Sequence, residues 1–362
     1  MFRALFVSGR EINYPRNQLF ISALQDFSDL EIIGRESTDI SRGGIAYILR
    51  QSLWSLIKAL LKQINKFDFI FIGFFGHLLV LLLAFFSRIP IIFDVFISAY
   101  DTIVNDRQAI RTNSLIAKFL FYLDKKTCEK ASLIFIDTQA HAQFFHHFFN
   151  IPLEKMNVVF VGCNEDIFYP REYPIDDAKV LYYCSFLPLH GVDVVVKAAQ
   201  IVEKTTPIKF RIIGNGLGEK KVRDLAINLG VANIEFENQV PQEKLPEEIA
   251  SSLICLGGHF GMSEKAKYVI PGKIFQIIAM GKPVVVGDNI ANRELLTHNE
   301  DAWFCEMNNP EDLAKAISRL YEDKKLREKL AAGAYSTYQN KASKALLKTK
   351  VKNAIVEYLS EN

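Results

Sequence analysis

Two lysines stand beside the predicted start of one helix, where their charge could bind an anion. Residues 271–296 predict a helix that begins at Pro271 and is followed by a buried strand at 284–286. Lys267 and Lys273 flank the start of that helix. Because a helix N-terminus beside the carboxyl end of a strand is where two-layer α/β folds hold phosphates and sugars, this segment predicts an anion site.

The same segment resembles the donor-site segment of GT-B glycosyltransferases, in particular the retaining family 4. Members of that family show a run of the form P-x-K-x-x-E-x-x-A-x-G-x-P-V-V, followed by a glutamate. The matching residues here are Pro271, Lys273, Gln276, Ala279, Gly281, Pro283, Val284, Val285 and then Glu294. Gln276 stands where the run has a glutamate. The resemblance implies that Gln276 meets the ribose and that Glu294 lines the sugar or phosphate end of the donor.

The resemblance continues through the second half of the chain. Gly162, Phe168 and Pro170 match the family's interdomain signature. After the next strand the family has an arginine and a lysine that grip the donor diphosphate. Ser185 and His190 stand at those positions here, followed by Gly191. Tyr268 and Gln276 stand where the family has its paired carboxylates, so that pair is absent. We therefore expect His190 to meet the diphosphate together with Lys267 and Lys273.

Two glycine-containing turns are predicted to lie on the donor side. Gly214-Asn215-Gly216 follows a predicted strand, and its glycines allow either close approach to a ligand or tight packing of the backbone. His259 and Gly261 follow another predicted strand. His259 is a candidate catalytic residue beside the donor, with a loop residue that has no role as the alternative.

Polar residues follow two predicted strands of the first half, at the sheet edge where ligands bind. In the loop 9–17, Arg10 and Arg16 either contact an anionic group or are solvated. The loop 94–107 is a predicted acceptor wall, and Phe96 occupies the place of a histidine that is common in family 4. Asp94 and Asp101 are therefore the other catalytic candidates. The residues predicted to face the acceptor are Arg10, Arg16, Ser98 and Arg107.

Two predicted helices of the first half are basic. From Ser41 to Lys66 there are five basic residues and no acid, with Trp54 in the middle, and the helix 45–65 has an apolar face. Such a helix either lies on an anionic bilayer or packs on the core with a solvated basic back. A second basic helix is predicted over 107–130.

Composition narrows the class of protein. The chain has 362 residues and a formal charge of +2, which excludes a globally basic nucleic-acid coat. Five cysteines occur singly, and no secretory signal is recognisable, so a reducing, cytoplasmic compartment is the expectation. The most apolar region, 67–97, is interrupted by glycine, arginine and proline, and predicts buried strands and a helix rather than a membrane span.

The strand and helix patterns predict an α/β protein. The resemblance implies the GT-B type, with two Rossmann-like domains that face each other across a cleft. The first domain is predicted at 1–170, with the C-terminal helix 341–362 packing back onto it. The donor domain is predicted at 175–340.

The resemblance implies transfer of a sugar from a nucleotide-sugar to a saccharide or lipid-linked acceptor of the cell envelope. Transfer would proceed with retention, without a metal or another cofactor. An anionic membrane surface is a further predicted partner, and nucleic acid is not. A GT-B protein that binds without transferring and a sugar-nucleotide epimerase stay open as alternatives.

Overall fold

The computed structural model describes residues 1–36, 45–107 and 109–361; for Arg10, residues 45–49 and Asp177 only the backbone is described. The chain divides into two compact units. Unit 1 consists of Met1–Val161 and Lys344–Asn362, and unit 2 of Gly162–Ser343. No helix within the described ranges combines the length and the apolar character that a bilayer span needs.

Unit 1 contains a parallel sheet of six strands covered by helices. Its strands are β1 (Phe2–Glu11), β2 (Ser28–Arg35), β3 (Phe69–Ile72), β4 (Ile91–Asp94), β5 (Leu133–Ile136) and β6 (Met156–Val158). Its helices before residue 162 are α1 (Pro15–Gln25), α2 (Ile45–Leu61), α3 (His77–Leu83), α4 (Leu115–Lys130) and α5 (Gln139–Phe149). Short 3₁₀ segments lie at Ile64–Lys66 and Leu153–Lys155, and a π-helix at Asp101–Asp106.

The sequence of the central strands explains this sheet. β3, β4 and β5 are short runs of isoleucine, leucine and phenylalanine, apart from Asp94 at the end of β4, and every residue in them is buried, as expected for strands covered on both faces. The strand order is β2-β1-β3-β4-β5-β6, with neighbours parallel. Strand order therefore reverses between β1 and β3, at the carboxyl edge where ligands bind in such folds.

Two predicted loops of unit 1 prove to be partly regular. β1 continues to Glu11, which pairs with Arg35 of β2, and α1 begins at Pro15, so the predicted loop 9–17 is wrong over most of its length. Proline is favoured at the first turn of a helix because its missing N–H has no partner there anyway. The predicted loop 94–107 contains the π-helix, and the helix predicted from residue 107 begins at Leu115, where Ser114 caps it.

Unit 2 has a second parallel sheet of six strands. Its strands are β7 (Asp176–Tyr183), β8 (Lys209–Ile213), β9 (Ile234–Glu237), β10 (Ser252–Gly258), β11 (Val284–Gly287) and β12 (Trp303–Cys305). Its helices are α6 (Val192–Val202), α7 (Glu219–Asn228), α8 (Leu245–Ala250), α9 (Glu264–Tyr268), α10 (Gly272–Ala279), α11 (Ile290–Leu295), α12 (Pro310–Glu322) and α13 (Lys324–Thr337). Shorter helical segments lie at Pro188–His190, Gln242–Lys244 and Tyr338–Ala342.

The order of strands in unit 2 defines its ligand-binding edge. The order is β12-β11-β10-β7-β8-β9, and the chain leaves β7 and β10 in opposite directions. In doubly wound sheets this reversal opens a crevice at the carboxyl ends of the two strands. The chain from Pro310 to Thr337 forms two helices, α12 and α13, because the side chain of Asp323 accepts from the Leu326 N–H at 3.0 Å and starts the second one.

The unit boundary lies at Val161, before the predicted end of the first domain at residue 170. Two contacts tie the intervening segment to unit 2. The Cys163 thiol donates to Tyr338 Oη at 3.2 Å, and that hydroxyl donates to Glu165 at 2.9 Å. The last helix, α14 (Lys344–Glu361), belongs to unit 1 and packs against α1.

Candidate functional site

The carboxyl edge of the unit 2 sheet brings three predicted site residues together. His190 follows β7, His259 follows β10, and Lys273 lies in the first turn of α10. β7 and β10 are the strands between which the order reverses, so the topology predicts a ligand at this position. We call these three residues the Lys273 cluster.

Lys273 is the buried cation of the cluster. The apolar residues Ile274, Phe275 and Ile277 anchor α10 in the core, and Lys273 itself is only 8% exposed. Its ammonium lies 4.6 Å from the centre of the Tyr182 ring and has no hydrogen-bond partner in the described part of the chain. Burial lowers the pKa of Lys273 to about 8. A buried cation without an anionic partner is costly, which is typical of a group that binds a ligand.

The two histidines stack beside it. Their ring centres are 5.5 Å apart and their planes differ by 21°. The Leu187 N–H donates to His190 Nδ1 at 3.3 Å, so the neutral ring carries its proton on Nε2, where it can donate to a ligand. His259 is 3% exposed, and its Nδ1 has no hydrogen-bond partner among the described residues.

The environment keeps both imidazoles neutral. Burial, with the charge of Lys273 in addition, lowers the pKa of His190 well below its usual range. Burial, followed by His190 and the lysines Lys273 and Lys265, does the same to the pKa of His259. A bound anion would oppose these effects, since it favours the protonated ring.

Glycines allow the two histidine loops to meet. The Gly261 N–H donates to the Leu189 carbonyl at 3.1 Å, and the Tyr182 hydroxyl donates to the His190 carbonyl at 2.6 Å. Gly191 has φ +62°, and a Cβ atom there would lie 2.5 Å from the carbonyl carbon of Phe260. A side chain at Gly191 would therefore push the two loops apart.

The glycine turn after β8 packs on backbone. Gly214 and Gly216 have φ of +139° and +152°, and added Cβ atoms would meet the carbonyl groups of Cys184 and Ser185. Asn215 between them is exposed. Of the two explanations left open by the sequence, the structure supports tight packing, which fixes the loop that leads to His190.

Three other predicted donor residues lie in different surroundings. The Tyr183 hydroxyl donates to the side-chain carbonyl of Gln276 at 2.8 Å, so that oxygen is occupied. Glu294 lies half-buried on α11. Lys267 forms a surface ion pair with Glu264 at 2.5 Å, and its side chain is 43% exposed. This corrects the prediction that Lys267 shares the diphosphate with Lys273, since its ammonium faces a carboxylate instead.

Asn292 is a site residue that the sequence did not reveal. It is fully buried on α11, and its amide donates to the carbonyls of Gly287 at 2.8 Å and Gly258 at 3.3 Å. It thereby joins the ends of β11 and β10. Its Oδ1 has no hydrogen-bond partner within the described ranges. The available signal was Asn289 three positions earlier, which caps α11 by accepting from the Asn292 N–H at 2.7 Å.

In unit 1 the structure joins two residues that were predicted to act on an acceptor. Arg16 and Asp94 are both buried and form an ion pair, with the Arg16 Nε 2.9 Å from both carboxylate oxygens. Another nitrogen of the guanidinium donates to the Val159 carbonyl at 2.8 Å. Burial raises the pKa of Asp94, and Arg16 opposes that rise. This corrects both predictions, because the two side chains satisfy each other inside the unit.

The predicted acceptor wall is largely held by Asp124 of α4. That carboxylate accepts from the Ser98 hydroxyl at 2.6 Å and from the Tyr100 N–H at 2.8 Å. Ser98 is therefore a structural contact, which corrects its predicted role. Asp101 is buried, accepts from the Asn105 amide at 3.0 Å, and has no described hydrogen-bond partner for its Oδ2.

For two arginines that were predicted to face the acceptor, the structure does not test that role. Arg107 is exposed at the end of the π-helix. Arg10 lies in β1, and its side chain is outside the described part of the structure.

Comparison with known proteins extends over both units. Residues 165–337 match the model of the family Glycosyl transferases group 1. A D-inositol 3-phosphate glycosyltransferase of Thermobispora bispora is 25% identical over 235 residues, which are 58% of this chain and 53% of that protein. An uncharacterized glycosyltransferase of Haemophilus influenzae is 23% identical over 219 residues, 59% of this chain and 58% of that protein. The matches thus span little more than half the length of these relatives.

Solved structures share the fold at low sequence identity. A sucrose-phosphate synthase from Thermosynechococcus elongatus superposes with a TM-score of 0.78 at 12% identity, covering 99% of this chain and 100% of that one. Anabaena HepE in complex with UDP superposes with a TM-score of 0.73 at 13% identity, covering 98% and 100%. The predicted GT-B fold is confirmed, and residues 165–337, which contain the Lys273 cluster, are a glycosyl transferases group 1 domain.

Proposed function

We propose that this protein is a glycosyltransferase that moves a sugar from a nucleoside-diphosphate sugar to an acceptor hydroxyl. One observation carries the proposal: the ammonium of Lys273 is buried at the start of α10, lies beside two neutral histidines, and lacks an anionic partner. The diphosphate of a donor supplies the missing charge. The family of residues 165–337 and the UDP held by the structurally similar HepE support this choice of ligand.

The proposed chemistry is electrostatic. As the bond between the sugar and the diphosphate breaks, negative charge grows on the leaving phosphate. Lys273, the Nε2 proton of His190 and the N-terminal amides of α10 stabilise that charge. These groups supply positive charge without a metal ion, so we propose metal-independent transfer. Retention of configuration and a hexosyl donor are proposed from the family resemblance.

His259 has a positioning role in this proposal. Its ring stacks on His190, and a fully buried Asn292 joins the strand end beside it to β11. The pair is thereby held in one orientation before the donor arrives. Gln276 offers its amide group to the ribose, because Tyr183 already occupies its carbonyl. We also propose that Glu294 and the Gly261 backbone line the sugar or phosphate end of the donor.

Unit 1 is the proposed acceptor side. Arg107 is an exposed cation in the segment that follows β4, and the Oδ2 of Asp101 in that segment is a buried carboxylate oxygen without a described partner. We propose a saccharide or lipid-linked acceptor of the cell envelope, reached from the cytoplasm. Asp101 remains the catalytic candidate of this unit, since Asp94 is paired with Arg16.

Titration calorimetry with UDP and with UDP-glucose tests the donor site. Lys273→Gln should weaken UDP binding about tenfold to a hundredfold, because a charge-assisted hydrogen bond contributes about 1.5–3 kcal/mol. Lys267→Gln is the matched control, since it removes the same charge from a surface pair in the same unit, and it should change affinity less than twofold. Equal effects of the two substitutions would contradict the proposed role of Lys273.

Donor hydrolysis separates transfer from binding alone. A transferase should bind the donor and hydrolyse it slowly when no acceptor is present. The occupied carbonyl of Gln276 and the serine at position 185 favour one alternative, a protein that binds the nucleotide without transferring the sugar. That alternative predicts binding with no hydrolysis and no transfer to any acceptor. Conversion of the donor into another free nucleotide-sugar would identify an epimerase instead.

A further inference from the structure

The outward face of α2 is apolar. Leu53, Ile57 and Leu61 are 55%, 51% and 73% exposed and follow one another at four-residue spacing. Successive residues of a helix are rotated by about 100°, so these three side chains form one stripe. The buried residues Leu56 and Ala59 lie on the other side of the helix. The stripe therefore points away from the core, where a helix of a water-surrounded protein ordinarily carries polar residues.

The outward face of α4 has the same character. Leu115, Phe119 and Tyr122 are 82%, 63% and 60% exposed and form a second stripe at helical spacing. Leu120 and Asp124 are buried on the opposite side of the helix. Two helices of unit 1 thus present aromatic and aliphatic side chains in the direction away from their sheet.

Exposed phenylalanines extend this apolar surface between the two stripes. α3 packs against both α2 and α4, and Phe85 and Phe86 follow its last turn with 85% and 52% of their surface exposed. The amide of Asn65 donates to the Phe86 carbonyl at 3.3 Å, which ties this turn to the segment after α2. We call the outer faces of α2, α3 and α4, with Phe85 and Phe86, the three-helix face.

The three-helix face is also strongly basic. The exposed cations on α2 and α4 and in the segments next to the three helices are Arg50, Lys58, Lys62, Lys66, Arg88, Arg111, Lys118, Lys126 and Lys130. Two carboxylates pair with three members of this set: Glu31 lies 2.7 Å from Lys62 and 3.3 Å from Lys66, and Glu129 lies 2.6 Å from Lys126. The acid of α4 that precedes Glu129, Asp124, is buried and occupied. Positive charge is therefore in excess where the apolar side chains are exposed.

We propose that the three-helix face binds the surface of an anionic lipid bilayer. Phenylalanine and leucine side chains enter the boundary between headgroups and acyl chains, and the surrounding lysines and arginines contact anionic headgroups. A second copy of the chain fits less well, because a twofold contact would place nine cations against the same nine. The proposal rests on unit 1 alone and does not require that the donor site function as proposed.

Vesicle flotation with the full chain tests this inference. The protein should float with vesicles that contain phosphatidylglycerol, should float much less with pure phosphatidylcholine, and should be partly released by high salt. The triple variant Leu61→Ser/Phe85→Ser/Phe119→Ser should bind at least tenfold more weakly. The matched control Ile175→Ser/Leu217→Ser/Ile227→Ser replaces exposed apolar residues of unit 2 and should bind like the wild type. Unchanged flotation of the first variant, or equal loss in both, would overturn the proposal.

Two further measurements identify the occupant. Trp54 lies on α2, and Trp303 is the other tryptophan of the chain, so Trp303→Phe leaves one probe. Brominated lipids should quench Trp54 fluorescence in that background, and no quenching would contradict insertion. Sedimentation should show that the three-helix face does not mediate self-association: the wild type and the triple variant should have the same oligomeric state. A dimer lost in that variant, together with no vesicle binding, would assign the face to a second copy and overturn the lipid proposal.

Nucleotide affinity separates this test from the donor-site test. The triple variant should bind UDP as the wild type does, because its substitutions are on exposed positions of unit 1. If the triple variant loses both UDP binding and vesicle binding, it is misfolded. The single substitution Phe85→Ser would then test the lipid proposal. If Phe85→Ser keeps UDP binding and still floats like the wild type, the proposal fails.

Discussion

The carboxyl edges of the two sheets differ in whether their buried cation has an anionic partner. In unit 1, the buried cation Arg16 has an anionic partner in Asp94, and the Asn17 amide donates to Ser8 at 3.0 Å, although the Oδ2 of Asp101 has no hydrogen-bond partner among the described residues. In unit 2, the ammonium of Lys273 and the Nδ1 of His259 lack hydrogen-bond partners among the described residues. Both edges are the places where strand order reverses, so the topology alone does not distinguish them.

The difference supports the proposal that the anionic part of the donor binds at the edge of unit 2. Buried polar groups in folded proteins are nearly always paired, so each exception calls for a physical reason. The pair in unit 1 supplies its own partner and gains nothing from a ligand. The Lys273 cluster carries a cost in the free protein that a bound anion would remove.

The largest effect is expected from breaking the pair in unit 1. Arg16→Met leaves the buried Asp94 carboxylate without a countercharge, and we expect a loss of about 3–5 kcal/mol in the free energy of unfolding. Chemical denaturation measures it. Asp94→Asn in the same chain should restore part of the loss, because it removes the stranded charge. If Arg16→Met were as stable as the wild type, the ion pair between Arg16 and Asp94 would not stabilise unit 1.

In unit 2, removing the buried charge of Lys273 should increase the free energy of unfolding instead of lowering it. Burial lowers the pKa of Lys273 from 10.5 to about 8, so the folded state disfavours the charged lysine. This cost is present in full below pH 8 and disappears as the pH rises past 10.5. Lys273→Met should therefore stabilise the free protein at pH 7 by about 2–3 kcal/mol while it weakens nucleotide binding. The same denaturation experiment at pH 7 measures it, and a destabilised variant would remove the contrast between the two edges.

The smallest of the three effects is a pH dependence of donor binding. A bound diphosphate favours the charged forms of Lys273 and the two histidines. Affinity for UDP-glucose should fall by roughly tenfold for each pH unit above about 8, as Lys273 in the free protein loses its proton. It should also rise at acidic pH, because burial lowers the pKa of both free histidines and a bound anion favours their protonation. Calorimetry in buffers of different ionisation enthalpy should detect proton uptake.

His190→Gln separates the two branches of that profile. The glutamine keeps a donor but cannot be protonated, so the acidic rise should shrink while the alkaline fall persists. A flat profile in the wild type would mean that the cluster does not meet the charged part of the donor.

Local sequence patterns predicted the part of the site that depends on neighbours in the chain. Pro271 and Gly272 predict the start of α10, and the position of Lys273 in the first turn of that helix follows from this start. Gly191 and Gly261 were placed beside the donor from the family resemblance, and the structure shows that they let two loops meet. The apolar region 67–97 likewise predicted the buried strands that the structure has as β3 and β4.

Pairings between distant residues could not be predicted in the same way. Arg16 and Asp94 are 78 positions apart, and each alone is typical of a solvated or ligand-facing group. Tyr183 and Gln276 are 93 positions apart, and no local signal joins them. The sequence did predict a basic, amphipathic α2, but the exposure of its apolar stripe depends on which face packs on the sheet.

A crystal structure of the chain with a bound nucleoside diphosphate tests the central claim most directly. We predict a phosphate oxygen within about 3 Å of the Lys273 ammonium, with His190 Nε2 donating to the same diphosphate. A nucleotide bound elsewhere, with the Lys273 ammonium still over the Tyr182 ring and no phosphate beside it, would contradict the account.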